Sequence, residues 1–378
     1  MLLLLIIVAL AAGSTALLIA ASGGLAVGGL AYLWRNYALD RVSHERHFAE
    51  RRLFPGEDVD LRLSLTNRKL LPVPWVTVVE RFSTGLAPAG GQQPPSALRQ
   101  ITVRQAFTLG PFERVSRTVS LRAERRGCYQ FGAVEATAGD PFGLFSAAQT
   151  LGGKDEVLVY PSLLDGWDYT VRAYHPYGEV KAARPLWEDP TRLAGARDYV
   201  AGDQLRRLHW RATARLGRLQ SRVYDPGASL QLMLVLDGNT AEHPWHGVDH
   251  ALLERAISVA ATIARDSLER KIPVGLLSNT LTVNSDQYIR VPLGRSPDQL
   301  TVILEHMARL IPYFGLPVAP LLERELSRLP LGAALLLVSV LDSADVVMAL
   351  DVARRRGHAI FRCDPRDTGG AGLDGLAA

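Results

Sequence analysis

The chain opens on an unbroken apolar run, with no charged side chain from Met1 to Trp34. As one straight helix this run measures about 50 Å, against a hydrocarbon core of about 30 Å. A break is therefore expected, at Gly13-Ser14-Thr15 or at Ser22-Gly23-Gly24, giving either a tight two-helix hairpin or one span with a glycine-rich end. After Ser43 the pattern shifts to period two. From Asp58 to Asn67 the residues Val59, Leu61, Leu63 and Leu65 alternate with Asp60, Arg62, Ser64 and Thr66, as in a strand with one buried face. Trp75 to Glu80, Ile101 to Leu109 and Arg117 to Ala123 repeat the habit between turns such as Phe54-Pro55-Gly56 and residues 90–95. Short strands at this spacing predict an antiparallel β-sandwich over residues 43–161. Asp140-Pro141-Phe142-Gly143-Leu144-Phe145 closes it as a structural corner, with Asp140 bonding nearby amides.

Residues 162–227 form a linking segment, of little periodicity to about Leu193 and then carrying an arginine-rich motif. From 228 to 364 the pattern becomes buried strands alternating with amphipathic helices: strand Leu230 to Asp237, helix His250 to Arg270, strand Ile272 to Ser278. A further helix starts at Ser296-Pro297-Asp298, with Ser296 as N-cap. Strand Ala333 to Leu341, helix Ala344 to Arg356 and strand His358 to Phe361 follow. This grammar predicts a doubly wound α/β domain, a parallel sheet covered on both faces. Residues 365–378, rich in Gly, Ala and Asp, read as a flexible tail.

Charge settles how the apolar end is read. Tyr32 and Trp34 suit a membrane interface, and Arg35, Arg41, Arg46, Arg51 and Arg52 follow directly. A cleaved signal peptide would carry a basic start, which is missing here, so residues 1–34 are expected to be a transmembrane anchor. The positive-inside tendency then places the soluble domains in the cytoplasm, at the cytoplasmic membrane. The net charge of +4 is mild and does not by itself argue for nucleic acid. Cys128 and Cys363 lie far apart, giving neither a disulfide framework nor a metal spacing.

The chemistry concentrates in residues 195–224. Gly202-Asp203 reads as a turn and N-cap for a helix from Gln204 to Leu216, stopped by Gly217. On a helical wheel Leu205, Leu208, Ala212 and Leu216 share a docked face, on which His209 is packed, while Arg207, Arg211 and Arg215 form a basic stripe. Three accounts of that stripe stand: a solvated face with ordinary salt bridges, binding of nucleic acid or anionic lipid, and docking of a protein partner through Arg, Trp and Tyr. Arg197, Tyr199, Asp203, Arg206, Arg207, Trp210, Arg211 and Arg215 are the candidate partner-binding residues. Of these, Arg197, Asp203, Arg206 and Trp210 could equally tie the connection to the sheet, which leaves Arg207 and Arg211 as the sharper candidates. No GxSxG, P-loop or GxGxxG is present, and neither cysteine has a histidine partner, so no catalytic constellation is expected.

In a doubly wound sheet ligands gather beyond the carboxyl ends of strands, which singles out Asp237-Gly238-Asn239-Thr240-Ala241 and Asp342. The block is similar to the metal-ion-dependent adhesion motif of von Willebrand factor A domains, Asp-x-Ser-x-Ser. Asp237 matches its first position, but Asn239 replaces one serine and Ala241 removes the other. Asp237, Asn239 and Asp342 are thus weak metal candidates at a vestigial site, and no working divalent-cation cofactor is expected.

The longer pattern Arg197-Asp198-Tyr199-Val200-x-Gly202-Asp203-x-x-Arg206-x-x-x-Trp210-x-Ala212-x-Ala214-Arg215-x-Gly217 resembles bacterial membrane proteins carrying the domain of unknown function 58. Arg126-Gly127-x-Tyr129-x-Phe131-Gly132 and Asp140-Pro141-Phe142-Gly143-Leu144-Phe145 support it, in the family's order. Ala201 departs from a frequent proline. The resemblance implies a membrane anchor, a β-sandwich and a von Willebrand factor A-like domain. It also implies association with MoxR-type AAA+ ATPases in assembling or maturing other complexes. The function expected is therefore a non-enzymatic scaffold or adaptor, with a lipid- or nucleic-acid-binding module as the alternative.

Overall fold

A computed structural model of the chain describes residues 15–89, 100–164, 166, 172–173, 193–200, 208–224, 231–241, 247–283, 285, 287–330 and 332–367. The possible break at Gly13-Ser14, the turn at residues 90–95, Asp203, Arg206, Arg207 and the end of the tail lie outside the described residues. Two compact units, Met1–Tyr160 and Pro161–Ala378, divide the chain.

The first unit begins with α1 (Thr15–Ala38), the one described helix long and apolar enough to cross a membrane. Its 24 residues span about 36 Å at the usual rise. The helix runs through Ser22-Gly23-Gly24 uninterrupted, so the break expected there is not present. Glycine weakens a helix by about 1 kcal/mol; within a bilayer, where water cannot satisfy the backbone, continued i to i−4 bonding would outweigh that cost. The Ser22 hydroxyl donates back to the Ile19 carbonyl (3.1 Å). What stops α1 is a left-handed Arg41 (φ 51°), together with Lys69, whose ammonium donates to the carbonyls of Ala38 (2.9 Å) and Asp40 (2.6 Å). A cation at a helix C-terminus satisfies its orphan carbonyls and meets the negative end of the dipole.

A mostly β body follows, with strands β1 (Val42–Phe48), β2 (Arg52–Leu53), β3 (Asp58–Asn67), β4 (Val73–Ser83), β5 (Leu86–Pro88), β6 (Gln100–Leu109), β7 (Arg114–Ala123), β8 (Gly127–Phe131), β9 (Val134–Gly139), β10 (Ser146–Leu151) and β11 (Asp155–Val159). They form sheets ordered β1-β3-β7-β5, β10-β9-β4-β6 and β2-β11-β8, antiparallel except for the short β2–β11 pair. The alternation of β3 is realised: Val59, Leu61, Leu63 and Leu65 are buried, and Asp58, Asp60 and Arg62 are exposed. Ser64 is the exception, buried because its hydroxyl pairs with that of Ser116 across the ladder (2.8 Å). The end of α1 belongs to this core, since Ala38 and Leu39 join Val42, Val73, Leu109 and Ala138 in one buried cluster, against which Trp34 packs.

In the second unit β12 (Arg172–Ala173), β13 (Leu193–Asp198), α2 (Trp210–Leu216) and β14 (Gln220–Tyr224) precede β15 (Leu232–Leu236), α3 (His250–Glu269) and β16 (Val274–Ser278). Then come β17 (Thr280–Thr282), β18 (Ile289–Gly294), α4 (Gln299–Ala308), β19 (Leu310–Phe314), α5 (Val318–Leu326), β20 (Ala334–Val338), α6 (Ala344–Arg355) and β21 (Ile360–Cys363). The main sheet is ordered β12-β21-β20-β15-β16-β18. Its four inner strands are parallel, and both edge strands are antiparallel. The expected wholly parallel sheet is therefore mixed. The connection from β16 to β18 is too short for a helical crossover, which needs a dozen or more residues, so β18 returns antiparallel.

Met233, Val235, Leu335 and Leu337 pack on one face of this sheet with residues of α5 and α6, including Leu322, Val346 and Leu350. Leu232, Leu234, Leu236 and Leu276 are equally buried, where α3 and α4 contact the central strands. The helix expected to be capped by Ser296 starts instead with Asp298 as N-cap, which makes no side-chain cap bond. Buried Gln299 fixes this start, donating from Nε2 to the carbonyls of Val274 (2.8 Å) and Pro292 (2.9 Å). The first tail residues are held: Pro365 accepts from Arg255 Nε (3.1 Å), and Arg366 donates to the Val340 carbonyl (2.9 Å).

Candidate functional site

Two features in the second unit carry chemistry. The first is a crevice at the carboxyl ends of β15 and β20. These strands are parallel neighbours whose connections leave in opposite directions, to β16 and to β21, the arrangement that opens a crevice between them. Asp237 ends β15 there and is 4% exposed. Its Oδ1 accepts from the Asn239 amide (3.0 Å) and Asn279 Nδ2 (3.0 Å), and its Oδ2 from the Ser339 hydroxyl (3.0 Å). Burial pushes its carboxyl above the usual range, and the bonds from Asn239, Ser339 and Asn279 only partly oppose this. Asn279 in turn accepts from the Gly238 amide (2.8 Å). Gly238 has no room for a side chain, because a Cβ would lie 2.0 Å from Thr280 Cγ2.

The sequence-derived metal candidates meet in one cavity of about 280 Å³, lined by Asp237, Asn239 and Asp342 with Pro317, Ser343 and Asp345. Each has another engagement. Asn239 Oδ1 accepts from the Ala241 amide (3.3 Å), folding onto its own loop. The exposed Asp342 carboxylate is paired with Arg362 of β21, which also donates to the Leu341 carbonyl (3.4 Å). Among the described residues no group of three or more His, Cys, Asp or Glu is placed to hold a metal ion. Asn279 and Ser339 escaped sequence reasoning; the one available signal was the polar run Ser278-Asn279-Thr280 directly after a buried strand.

The second feature is the arginine-rich segment. β13 and β14 pair antiparallel, with Arg197 opposite Ser221 and Asp198 opposite Gln220. Asp198 takes a bond from Gln220 Nε2 and an ion pair from Arg218 (3.0 Å), while Arg197 donates to the Asp198 carbonyl (3.2 Å). The half-buried Tyr199 ties the ribbon through its amide to the Leu219 carbonyl (2.9 Å). The helix expected from Gln204 is shorter where it is described: Leu208 is a buried β-bridge to Ser221, and α2 starts at Trp210. His209 is its N-cap, with Nδ1 accepting from the Ala212 amide (3.1 Å), so it is a cap and not a packed histidine. Gly217 ends α2 in the left-handed region, as expected (φ 67°).

The docked face of the wheel is corrected too. Leu208 is buried, but Leu216 is 53% exposed and no residue of α2 is buried. Trp210 is 64% exposed. Arg211 and Arg215 are exposed and have no ion pair among the described residues. At Leu208 the bridge to Ser221 of β14 overrides the helical wheel.

Two charged hubs were missed by sequence reasoning. Glu325 on α5 is buried and accepts from Tyr288 Oη (2.7 Å), Arg290 Nε (2.7 Å) and Arg328 Nη1 (2.8 Å), beside a cavity of about 660 Å³. In the first unit buried Glu80 is held by Arg46 (3.0 Å), with His44 Nε2 at 3.2 Å.

These features define a chain with an apolar N-terminal helix, a mostly β unit of antiparallel sheets, and a helix-covered mixed sheet with a polar crevice. A match to the family described as "Protein of unknown function DUF58" spans residues 195–367. Over 275 residues the chain is 22% identical to the "Uncharacterized protein YeaD" of Bacillus subtilis (strain 168), covering 72% of this chain and 63% of that one. It thus spans less than two thirds of that relative's length. Among solved structures, Escherichia coli alpha-2-macroglobulin is 19% identical with a TM-score of 0.25, covering 41% of this chain and 9% of that one. A type II cohesin domain of Acetivibrio cellulolyticus is 8% identical with a TM-score of 0.24, covering 32% of this chain and 95% of that one.

Proposed function

We propose that the protein is a membrane-anchored, non-enzymatic scaffold or adaptor whose α2 and β13–β14 ribbon bind a protein partner. The partner that the family resemblance suggests is a MoxR-type AAA+ ATPase, acting in assembly or maturation of other complexes. One observation carries this reading: Trp210 is 64% exposed on a segment that also exposes Val200 (60%), Leu216 (53%) and Leu219 (47%) beside Arg211 and Arg215. Tryptophan and arginine are the side chains that dominate protein interfaces. A surface for nucleic acid would depend on the arginines and leave the aliphatic exposure unexplained, whereas a lipid surface would use both and is separated from a protein partner by the test below.

In this reading the first unit is a β-sandwich and the second a doubly wound, von Willebrand factor A-like domain working without a divalent cation. The internal donors on Asp237 and the Arg362 partner of Asp342 support that choice. Arg35 in the last turn of α1 and Arg41 just after it support an orientation with both soluble units in the cytoplasm, at the inner membrane.

Affinity capture from detergent-solubilised membranes tests the proposal, comparing wild type with a Trp210→Ala, Arg211→Glu, Arg215→Glu variant. The expected result is loss of an AAA+ ATPase from the captured set, identified by mass spectrometry. An unchanged set overturns the role of the segment. Binding of anionic liposomes or nucleic acid that collapses with added salt favours the alternative.

A further inference from the structure

We infer that the end of the β unit from which α1 emerges is itself a membrane-contacting face, whose apolar loop tips lie in the headgroup and acyl boundary of the bilayer. The inference rests on reading α1 as the membrane anchor. Strand register brings three loops to that end. Val42 pairs with Asn67, Thr66 with Arg114, Val73 with Leu109, and Gly139 with Ser146. The loops 67–73, 109–114 and 139–146 are thus neighbours of the junction where α1 enters β1.

Every exposed large apolar side chain described in this unit outside α1 lies on those loops. They are Leu70 (75%), Phe112 (68%), Phe142 (61%), Leu144 (56%) and Phe145 (37%). Scattered exposed apolar residues need no explanation, but confinement to one end beside an apolar helix does. Phe145 contacts α1 directly, edge-on to Tyr32 with ring centroids 5.9 Å apart, and Arg35 lies over the same tyrosine at 6.0 Å. An aromatic pair with an adjacent cation is suited to the interfacial level of a bilayer.

The backbone of the corner is prepared for a poorly hydrated environment, where each unpaired amide is costly. Pro141 has no N–H. The amides of Phe142 (2.8 Å) and Leu144 (3.3 Å) donate to Asp140 Oδ1, that of Phe145 (2.6 Å) to Asp140 Oδ2, and that of Gly143 (3.2 Å) to the Asp140 carbonyl. Four consecutive amides are therefore satisfied from within. The neighbouring turn follows suit, with Gly110 donating to Glu113 Oε2 (2.5 Å) and Phe112 to the Lys69 carbonyl (3.2 Å). Asp140 is fully buried beneath the tip, and the Trp75 indole donates to its carbonyl (3.2 Å). The phenylalanines are thus held outward on a rigid frame.

Spin labelling of the full chain in phosphatidylcholine–phosphatidylglycerol vesicles tests this. On a Cys128→Ser, Cys363→Ala background, a nitroxide is placed at Leu25→Cys in α1, Leu144→Cys at the corner, or Lys154→Cys beyond the far end of β10. Collisions with oxygen, which partitions into lipid, are compared with those of a water-soluble nickel chelate. Labels at Leu25 and Leu144 are expected to favour oxygen and lose nickel contact, and the label at Lys154 to do the reverse. Phe112→Cys is expected to follow Leu144→Cys. Nickel access at Leu144 with protection at Leu25 overturns the membrane-contacting face and leaves the anchor standing. Nickel access at Leu25 overturns both.

Discussion

Asn279 joins two neighbouring parts of the crevice with one side chain, donating from Nδ2 to Asp237 Oδ1 (3.0 Å) while its own Oδ1 accepts from the Gly238 amide (2.8 Å). A carboxylate awaiting a cation would keep free oxygens; here protein donors engage both, two on Oδ1 and one on Oδ2. Magnesium or manganese titrated into the detergent-solubilised chain is therefore expected to give no tight one-to-one isotherm. Tight binding that disappears in Asp237→Ala would overturn this.

The same carboxylate makes a pH prediction. Burial raises the folded-state pKa of Asp237 above its unfolded value of about 3.9. Ionising it therefore costs folding free energy as pH rises above that unfolded value, and the cost levels off above the folded pKa. Asp237→Asn removes the charge, and Ser339 has the Leu341 carbonyl (3.1 Å) as another acceptor. The Tm of Asp237→Asn relative to wild type is expected to be higher at pH 8 than at pH 4. A relative Tm that falls with pH would sink the assignment.

Glu80 carries the opposite sign. Burial would raise its pKa, but hydrogen bonds from His44 and Arg46 and their charges bring it below the usual value. Its stabilisation is thus present above the unfolded pKa of about 4.3 and is lost as pH falls through the folded value. Among the described residues, Glu80→Ala leaves the buried Arg46 side chain with only Asp155 at 3.7 Å as counter-charge, and it is expected to cost about 3–5 kcal/mol in chemical denaturation. Glu80→Gln should flatten the acid limb of the stability curve; an unchanged limb would show that other carboxylates control it.

Gly238→Ala sets a methyl group against Thr280 Cγ2 and is expected to destabilise by about 1–3 kcal/mol through overpacking. Adding Thr280→Ser removes that methyl and keeps the hydroxyl paired with Ser278, so the double variant should recover part of the loss. Additive losses in thermal unfolding would refute the steric explanation.

Trp210 and Leu208 stand two residues apart in sequence and at opposite extremes of exposure, 64% against 4%. Trp210→Ala is expected to change stability by no more than about 0.5 kcal/mol. Leu208→Ala should cost about 2–5 kcal/mol as a buried truncation. Equal costs, measured by denaturant unfolding, would mean that Trp210 is covered in the folded chain and unavailable to a partner.

What could be read in advance follows from how local the cause is. The alternation of β3 was legible because one face meets the core, and β15 and β20 stood out as apolar runs because helices cover both faces. The strand β18 was missed because Arg290 and Pro292 interrupt its apolar pattern. The helix proposed from Gln204 failed at Leu208 because the pairing with Ser221 is tertiary. Asp237 was visible at its strand end, but its partners Asn279 and Ser339 lie 42 and 102 residues away, with no local pattern to announce them. Asp140 was legible as a corner because its acceptors serve amides two to five residues ahead.

The Lys69 bonds to Ala38 and Asp40 give the junction after α1 a mechanical meaning. No slack chain separates the helix from the β unit; Ala38 and Leu39 are already core, and β1 begins at Val42. Helix and β unit turn as one lever. In a bilayer, a helix that tilts to match a thinner hydrocarbon layer would swing the far end of that unit through the same angle, converting membrane thickness into orientation.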